Sequence, residues 1–207
     1  MSIKALLLNC SLKSSNEESN TQSLMNEAIK IFGNEEIESE VVRVADYIVA
    51  HGVSDDEGGN DEWPKISDKI KAADIIVIGT PLWLGEKSSI ATQVIERMYG
   101  ASSFTDENGQ SIYYNKVGGV VVTGNEDGAK HAARSILYGL THMGLTIPPN
   151  VDAYWVGEAG PGASYIEAKG HENDFTMQHV KFLSYNLIHF ARILKENPIP
   201  VQGNTLE

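Results

Sequence analysis

The sequence predicts a three-layer, doubly wound α/β domain on a five-stranded parallel sheet in the order 2-1-3-4-5. Three observations carry that expectation. Short apolar runs recur at Ile3–Asn9, Glu40–Ala45, Ile75–Ile78, Val117–Thr123 and Val151–Val156, and strands with little polar alternation are those buried on both faces of a parallel sheet. The segments between them repeat apolar residues at helical spacing, the alternation of an α/β domain. The first, third and fourth runs end in hydroxyl- or glycine-rich loops, which that strand order brings together at one switch point.

With 207 residues, 42% hydrophobic and 21% charged, one domain over residues 1–196 and a tail over 197–207 are expected. The net charge of −12 leaves no basic stripe for phosphates, which argues against a nucleic-acid partner. No apolar stretch approaches the roughly 20 residues that span a bilayer. The opening apolar run is too short for a signal peptide, and Asn9 suits no cleavage site, so it reads as the first strand. The single Cys10 forms no internal disulfide, which fits a cytoplasmic setting.

The first strand leads into a polar loop, Cys10 to Gln22, and then a helix with Leu24, Met25, Ala28, Ile29 and Phe32 on one face, stopped near Gly33. Strand, polar loop and helix together offer backbone N–H groups and a helix N-terminus to an anion. The loop has no glycine, so it matches neither the dinucleotide fingerprint nor the nucleotide-triphosphatase loop. Ser11, Ser19 and Thr21 suit a terminal monophosphate, because each donates a hydrogen bond without adding charge. The competing reading is an ordinary helix-capping loop.

The second strand is followed by an acidic connection from Asp46 to Glu62. Its carboxylates do not follow the spacing of a calcium loop, so a solvated, mobile segment is expected. Trp63-Pro64 starts a helix, with Pro64 tolerated in its first turn.

The chain is organised around the next stretch. Ile75 to Ile78 is the central strand, and Gly79-Thr80-Pro81 should end it. Leu82, Trp83, Leu84 and Gly85 then form a surface turn, and Ser88-Ser89 caps a helix bearing Ile90, Ala91, Val94, Ile95 and Met98. Trp83 either packs beneath a neighbouring loop or lines a flat, partly apolar ligand. An excursion over residues 100–115 precedes the fourth strand, where Gly118 and Gly119 allow close approach of neighbours. That strand ends in a second edge loop from Thr123 to Gly128. A helix to Gly144, a fifth strand, a glycine-rich segment from Gly157 to Gly162 and a last helix over Asp174–Glu196 complete the domain. The tail is expected to be loose or draped over a partner.

Three motifs in register now resemble the flavodoxin-like fold and, within it, the NAD(P)H-dependent FMN reductases. They are Ser11-Leu12-Lys13 with Ser19-Asn20-Thr21, then Gly79-Thr80-Pro81-Leu82-Trp83-Leu84-Gly85 with Ser88-Ser89, then Thr123-Gly124-Asn125-Glu126-Asp127-Gly128. The resemblance implies that the first loop holds the FMN phosphate, the second lines the isoalloxazine and the third meets its pyrimidine edge. Many relatives have Pro-Arg where this chain has Leu12-Lys13, and a shorter phosphate loop. Lys13 keeps the charge without a planar fork, and the acidic residues among Ser14 to Glu18 should point away from the phosphate. Asn125 offers a donor and an acceptor to the ring edge, and Asp127 either accepts from the ring N–H or caps the next helix. Backbone N–H groups of residues 82–84 are expected at the ring's N5 and O4 edge, with Glu126 pointing outward.

The activity so implied is that of an oxidoreductase in which FMN accepts hydride from NAD(P)H and passes electrons, by a ping-pong cycle, to a small acceptor such as a quinone or free flavin. The chemistry belongs to the cofactor, so no catalytic side chain is assigned. The alternative is a flavodoxin-type carrier exchanging single electrons with protein partners. The walled loop, the excursion and the tail favour an enzyme and a homo-oligomer, with a homodimer the simplest form. A phosphoacceptor receiver lacks its carboxylates, a hydrolase lacks its G-x-S-x-G elbow, and the six histidines show no metal spacing. Cys10 is either a reactive thiol or a small buried residue, and its position at a strand end favours the second.

Overall fold

The computed structural model describes residues 2–160 and 162–206. Its elements are β1 (Lys4–Asn9), α1 (Asn20–Asn34), β2 (Glu38–Arg43), α2 (Trp63–Ala72), β3 (Ile75–Trp83), β4 (Glu86–Lys87), α3 (Ser89–Tyr99), β5 (Val117–Gly124), α4 (Ala129–Met143), β6 (Asp152–Val156) and α5 (Asp174–Glu196). Five strands run parallel in the order β2-β1-β3-β5-β6, and β4 pairs antiparallel with the end of β3. This is the doubly wound order expected from the apolar runs.

Two apolar layers sandwich the sheet. On one side α2, α3 and α4 bury Trp63, Ile66, Ile70, Val94, Met98, Ile136 and Leu140 against Leu6, Leu8, Ile76, Ile78, Val120 and Val122. On the other, α1 and α5 bury Leu24, Met25, Phe32, Leu183 and Leu187 against Leu7, Ile75, Val77 and Val121. Successive strand residues face opposite layers, so a two-sided apolar run is what such a strand requires. Gly118 and Gly119 serve this packing: a Cβ there would lie 2.9 Å from Leu140 and 3.0 Å from Leu187 respectively, so helices on both faces settle close to β5.

Three expectations need correction. The central strand does not stop at Pro81 but continues to Trp83, with Pro81 registered against Thr123 of β5. The reason is geometric. The Gly79 carbonyl accepts from the Cys10 N–H on the β1 side, so Pro81, two residues on, faces the same side after β1 has ended. Its missing N–H therefore breaks no ladder bond. The residues after it form a hairpin rather than a free turn, with Leu84 (φ 54°) and Gly85 (φ 76°) at its tip.

The acidic connection is not simply solvated. The Asp61 side chain is fully buried against Arg97 at 2.6 Å, and Arg97 also donates to the carbonyls of Ala50 and Ser54 while its guanidinium lies over the Trp63 ring. Burial alone would raise the Asp61 pKa. Hydrogen bonds from Arg97 and from the N–H groups of Glu57, Ala50 and Trp63 outweigh it and hold the carboxyl well below the usual range.

The tail lies on its own chain. Gln110 donates to the carbonyls of Ile199 and Pro200, Ile199 N–H donates to Asn115, and Leu206 N–H donates to Gly109. The excursion over 100–115 is thus the shelf on which the C-terminal residues rest.

Candidate cofactor site

The carboxyl ends of β1, β3 and β5 are neighbours, so their loops meet at one sheet edge. Behind the first loop, Asn9 sets the chain direction. It is fully buried, its Oδ1 accepts from Ser11 N–H, and its Nδ2 donates to Gln22 Oε1 at 3.0 Å. Ser19 is the N-cap of α1, its hydroxyl accepting from Gln22 N–H and lying 3.3 Å from the Ser11 hydroxyl. Ser88 donates to the Cys10 carbonyl and caps α3 by accepting from Ala91 N–H. The helix-capping reading therefore holds for Ser19 and Ser88, while Ser11 and Ser19 also line the cavity between the loops.

The longer first loop is tethered from outside. Arg43 Nη1 donates to the carbonyls of Lys13 and Ser14 at 3.0 and 2.9 Å, and Asp46 accepts from Ser15 N–H at 2.8 Å. That N–H bond, chiefly, holds the Asp46 carboxyl below its ordinary value. Cys10 is fully buried, and burial raises its thiol pKa, so the reactive-thiol alternative is set aside.

A cavity of about 420 Å³ opens between these loops. Of the residues singled out from sequence, Ser11, Lys13, Ser19, Asn20, Thr21, Pro81, Leu82, Trp83, Thr123, Gly124 and Asn125 line it. Leu84, Gly85, Asp127 and Gly128 do not. Leu84 projects into solvent at 91% exposure, and its N–H donates to Glu126 at 2.7 Å. Glu126 therefore turns toward the hairpin instead of outward, and it occupies an N–H group expected for the ring. Gly85 and Gly128 stand back to back: a Cβ on Gly128 would lie 2.6 Å from the Gly85 Cα. Their role is to let the hairpin touch the β5–α4 loop. Asp127 is exposed and makes no side-chain cap to α4.

Asn125 also differs from expectation. Its amide N–H₂ donates to the carbonyls of Gly162 and Ala163 at 2.7 and 3.0 Å, leaving its carbonyl oxygen as the group it can offer a ligand. Asn20 is engaged too, its Oδ1 accepting from Ile166 N–H. These two asparagines hold the segment after β6 across the cavity, where Ser164 and Tyr165 form a wall. Leu12, Glu18, Trp155, Ser164 and Tyr165 are lining residues that sequence reasoning did not assign. Trp155 ends a strand at the same sheet edge, and the glycines after it were the available signal. Tyr165, seated edge-on against Trp155, had none. Glu18, one of the carboxylates expected to face away, lines the cavity beside Lys13.

The donor set fits a phosphate-tailed planar ring. The α1 N-terminus and neutral hydroxyls suit the anion, Pro81, Leu82, Trp83 and Trp155 supply apolar walls, and Thr123 to Asn125 supply a polar end. Among the described residues no helix is long and apolar enough to cross a membrane.

The comparisons with known proteins agree. The family profile described as NADPH-dependent FMN reductase matches residues 3–158. The chain is 40% identical to 8-demethyl-8-aminoriboflavin-5′-phosphate synthase of Streptomyces davaonensis, covering 96% of this chain and 80% of that protein. It is 44% identical to a Mycobacterium bovis protein named divalent metal cation transporter MntH over 93% of this chain, which spans 29% of that protein's length. Among solved structures, RosB with bound 8-demethyl-8-formylriboflavin-5′-phosphate superposes with a TM-score of 0.89 at 39% identity, over 96% of this chain and 82% of RosB. An archaeal flavodoxin shares the fold at a TM-score of 0.56 and 14% identity, over 92% of this chain and 99% of the flavodoxin. Family membership brings FMN as cofactor and NAD(P)H as reductant. The chain belongs to the NADPH-dependent FMN reductase family.

Proposed function

We propose that the protein takes hydride from NAD(P)H and passes the electrons in a ping-pong cycle to a small acceptor, a quinone or a free flavin. The observation that supports this reading is the convergence of three loops on one open cavity of about 420 Å³. FMN, when bound there, supplies the redox chemistry. The chain's own residues supply position and exclusion of water. Ser11, Ser19 and the first N–H groups of α1, with Lys13 at the rim, would hold the phosphate. Pro81, Leu82 and Trp83 would cover part of the flat ring, while Thr123, Gly124 and the Asn125 carbonyl oxygen would meet its polar edge. Trp83 is 45% exposed, which leaves a face free for a second planar reactant, and a single face visited in turn is what a ping-pong cycle needs. We read the protein as a cytoplasmic homo-oligomer.

Steady-state NAD(P)H oxidation with a quinone, after an absorption titration with FMN, tests the proposal. Parallel double-reciprocal lines are expected. Turnover only with a one-electron protein partner would instead support the flavodoxin-type carrier. A second reading treats the flavin itself as substrate, favoured by near-full-length identity of 40% to a synthase of a riboflavin phosphate derivative. Aerobic incubation with FMN and mass measurement of the extracted flavin separates the two, since unchanged mass supports the reductase.

A further inference from the structure

The first loop, residues 10–19, has little internal structure to hold its shape. It contains no glycine, and among the described residues its backbone bonds within itself once, from Glu17 N–H to the Ser14 carbonyl. Its course is set instead from the neighbouring strand. Arg43 ends β2 in register with Asn9, the last residue of β1, and Asp46 closes the helical turn Val44–Asp46 that follows. Neither residue lines the cavity, yet both hold the stretch of loop beside Lys13.

The grip is complete at one peptide. Arg43 Nη1 donates to the Lys13 and Ser14 carbonyls at 3.0 and 2.9 Å, and Asp46 accepts from Ser15 N–H at 2.8 Å. The Ser14–Ser15 peptide is trans, so its carbonyl and N–H point in opposite directions. A cation takes one end and a carboxylate the other, and its plane cannot turn without breaking a charge-assisted bond. The Lys13–Ser14 peptide is held by its carbonyl as well, which fixes the backbone on the C-terminal side of Lys13. Arg43 Nε is buried with no partner among the described residues. The guanidinium therefore sits where the loop carbonyls require, not where its own donors are best satisfied.

Lys13 is what this scaffold presents. It is the one basic residue lining the cavity among the described residues, and its ammonium lies 3.5 Å from the Glu18 carbonyl. A lysine is a point charge on a flexible stem, so the place of its Cα decides where the charge can go. We infer that Arg43 and Asp46 are positioning residues: by clamping the Ser14–Ser15 peptide they hold Lys13 at the cavity rim and set a preference for phosphorylated flavin over riboflavin. The inference rests on the reading that the FMN phosphate lies against the first loop.

Fluorescence titration of the full chain with FMN and with riboflavin tests it. Arg43→Gln and Asp46→Ala should each weaken FMN binding by a factor of about five, the upper end for a solvent-exposed charge contact, and riboflavin binding little. The sign for Asp46→Ala discriminates most sharply. Deleting a carboxylate near an anion site strengthens anion binding if charge alone acts, whereas loss of the clamp weakens it. In a Lys13→Gln background either substitution should add little, because residues that act through a third do not add. Arg43→Lys, whose ammonium can still reach a carbonyl, should recover part of the loss. Asp46 is exposed, so Asp46→Ala carries the test even if Arg43→Gln fails to fold. An unchanged FMN preference in Lys13→Gln would remove the phosphate from this loop, and the inference with it. If Lys13→Gln does weaken FMN binding, three results would overturn the clamp alone: tighter FMN binding by Asp46→Ala, equal loss of both flavins, or losses that add to that of Lys13→Gln.

Discussion

The hydroxyls of Thr21 and Thr123 meet at 2.9 Å and join the first turn of α1 to the end of β5. Both side chains are buried, at 1% and 3% exposure, so the bond ties two of the loops that border the cavity to one another. Thr123→Val should strand the Thr21 hydroxyl and cost about 1–3 kcal/mol, lowering the melting temperature by about 2–4 °C per kcal/mol. The double variant Thr21→Val/Thr123→Val should recover part of that loss, because no orphan remains. Thermal melts of the three variants check it.

The Arg97–Asp61 pair should behave as a buried ion pair. Arg97→Met leaves a buried carboxylate without its cation and should cost about 3–5 kcal/mol. The folded Asp61 pKa lies below its unfolded value near 3.9. Its contribution is therefore complete above about pH 4 and is lost as the pH falls through the folded value. Wild type and Asp61→Asn should converge in stability as the pH falls below 4, read from urea midpoints.

Lys116 also titrates below its unfolded value, so its stability term has the same sign but acts in the alkaline range. Burial pushes its ammonium down to about 8, while it caps α2 through the carbonyls of Lys71 and Ala73. Between pH 8 and its unfolded value near 10.4 the unfolded chain holds more protons, so stability attributable to Lys116 should rise across that window. Comparison with Lys116→Met at pH 7.5 and 10 reads the difference.

Lys13 and Glu18 should act oppositely on the phosphate. Lys13→Gln should weaken FMN binding several-fold and riboflavin binding little, and Glu18→Gln should strengthen FMN binding. Both effects should shrink in high salt, as exposed charges do. Flavin fluorescence titrations with and without the phosphate decide it.

The Cys10 thiol should resist an exchange reagent in the native protein and react only after unfolding, because burial both shields it and raises its pKa. A native protein that labels at once would contradict its placement.

The fold was legible because β-branched runs and helical spacing report burial directly. The last helix, Asp174–Glu196, appears with the bounds its spacing indicates. Pro81 misled because its cost depends on which side of the strand still has a neighbour, and that is a property of the assembled sheet. The cavity residues on β1, β3 and β5 were legible from the rule about strand ends. Leu84, Gly85, Asp127 and Gly128 belong to the same motifs, but a motif does not tell a lining residue from one that props the lining up. Ser164 and Tyr165 reach the cavity through tethers from Asn20 and Asn125 that no local pattern announces. The Asp61–Arg97 pair joins residues 36 apart, and in a run of many carboxylates nothing marks the one that turns inward.

The contact of Gly85 with Gly128 welds the two banks of the crevice into one rigid lip. A methyl group at position 128 would pry that lip open from behind, without touching anything the cavity holds. Substitutions there should loosen grip on any occupant while every lining side chain stays intact, so damage to recognition would originate outside the list of residues that do the recognising.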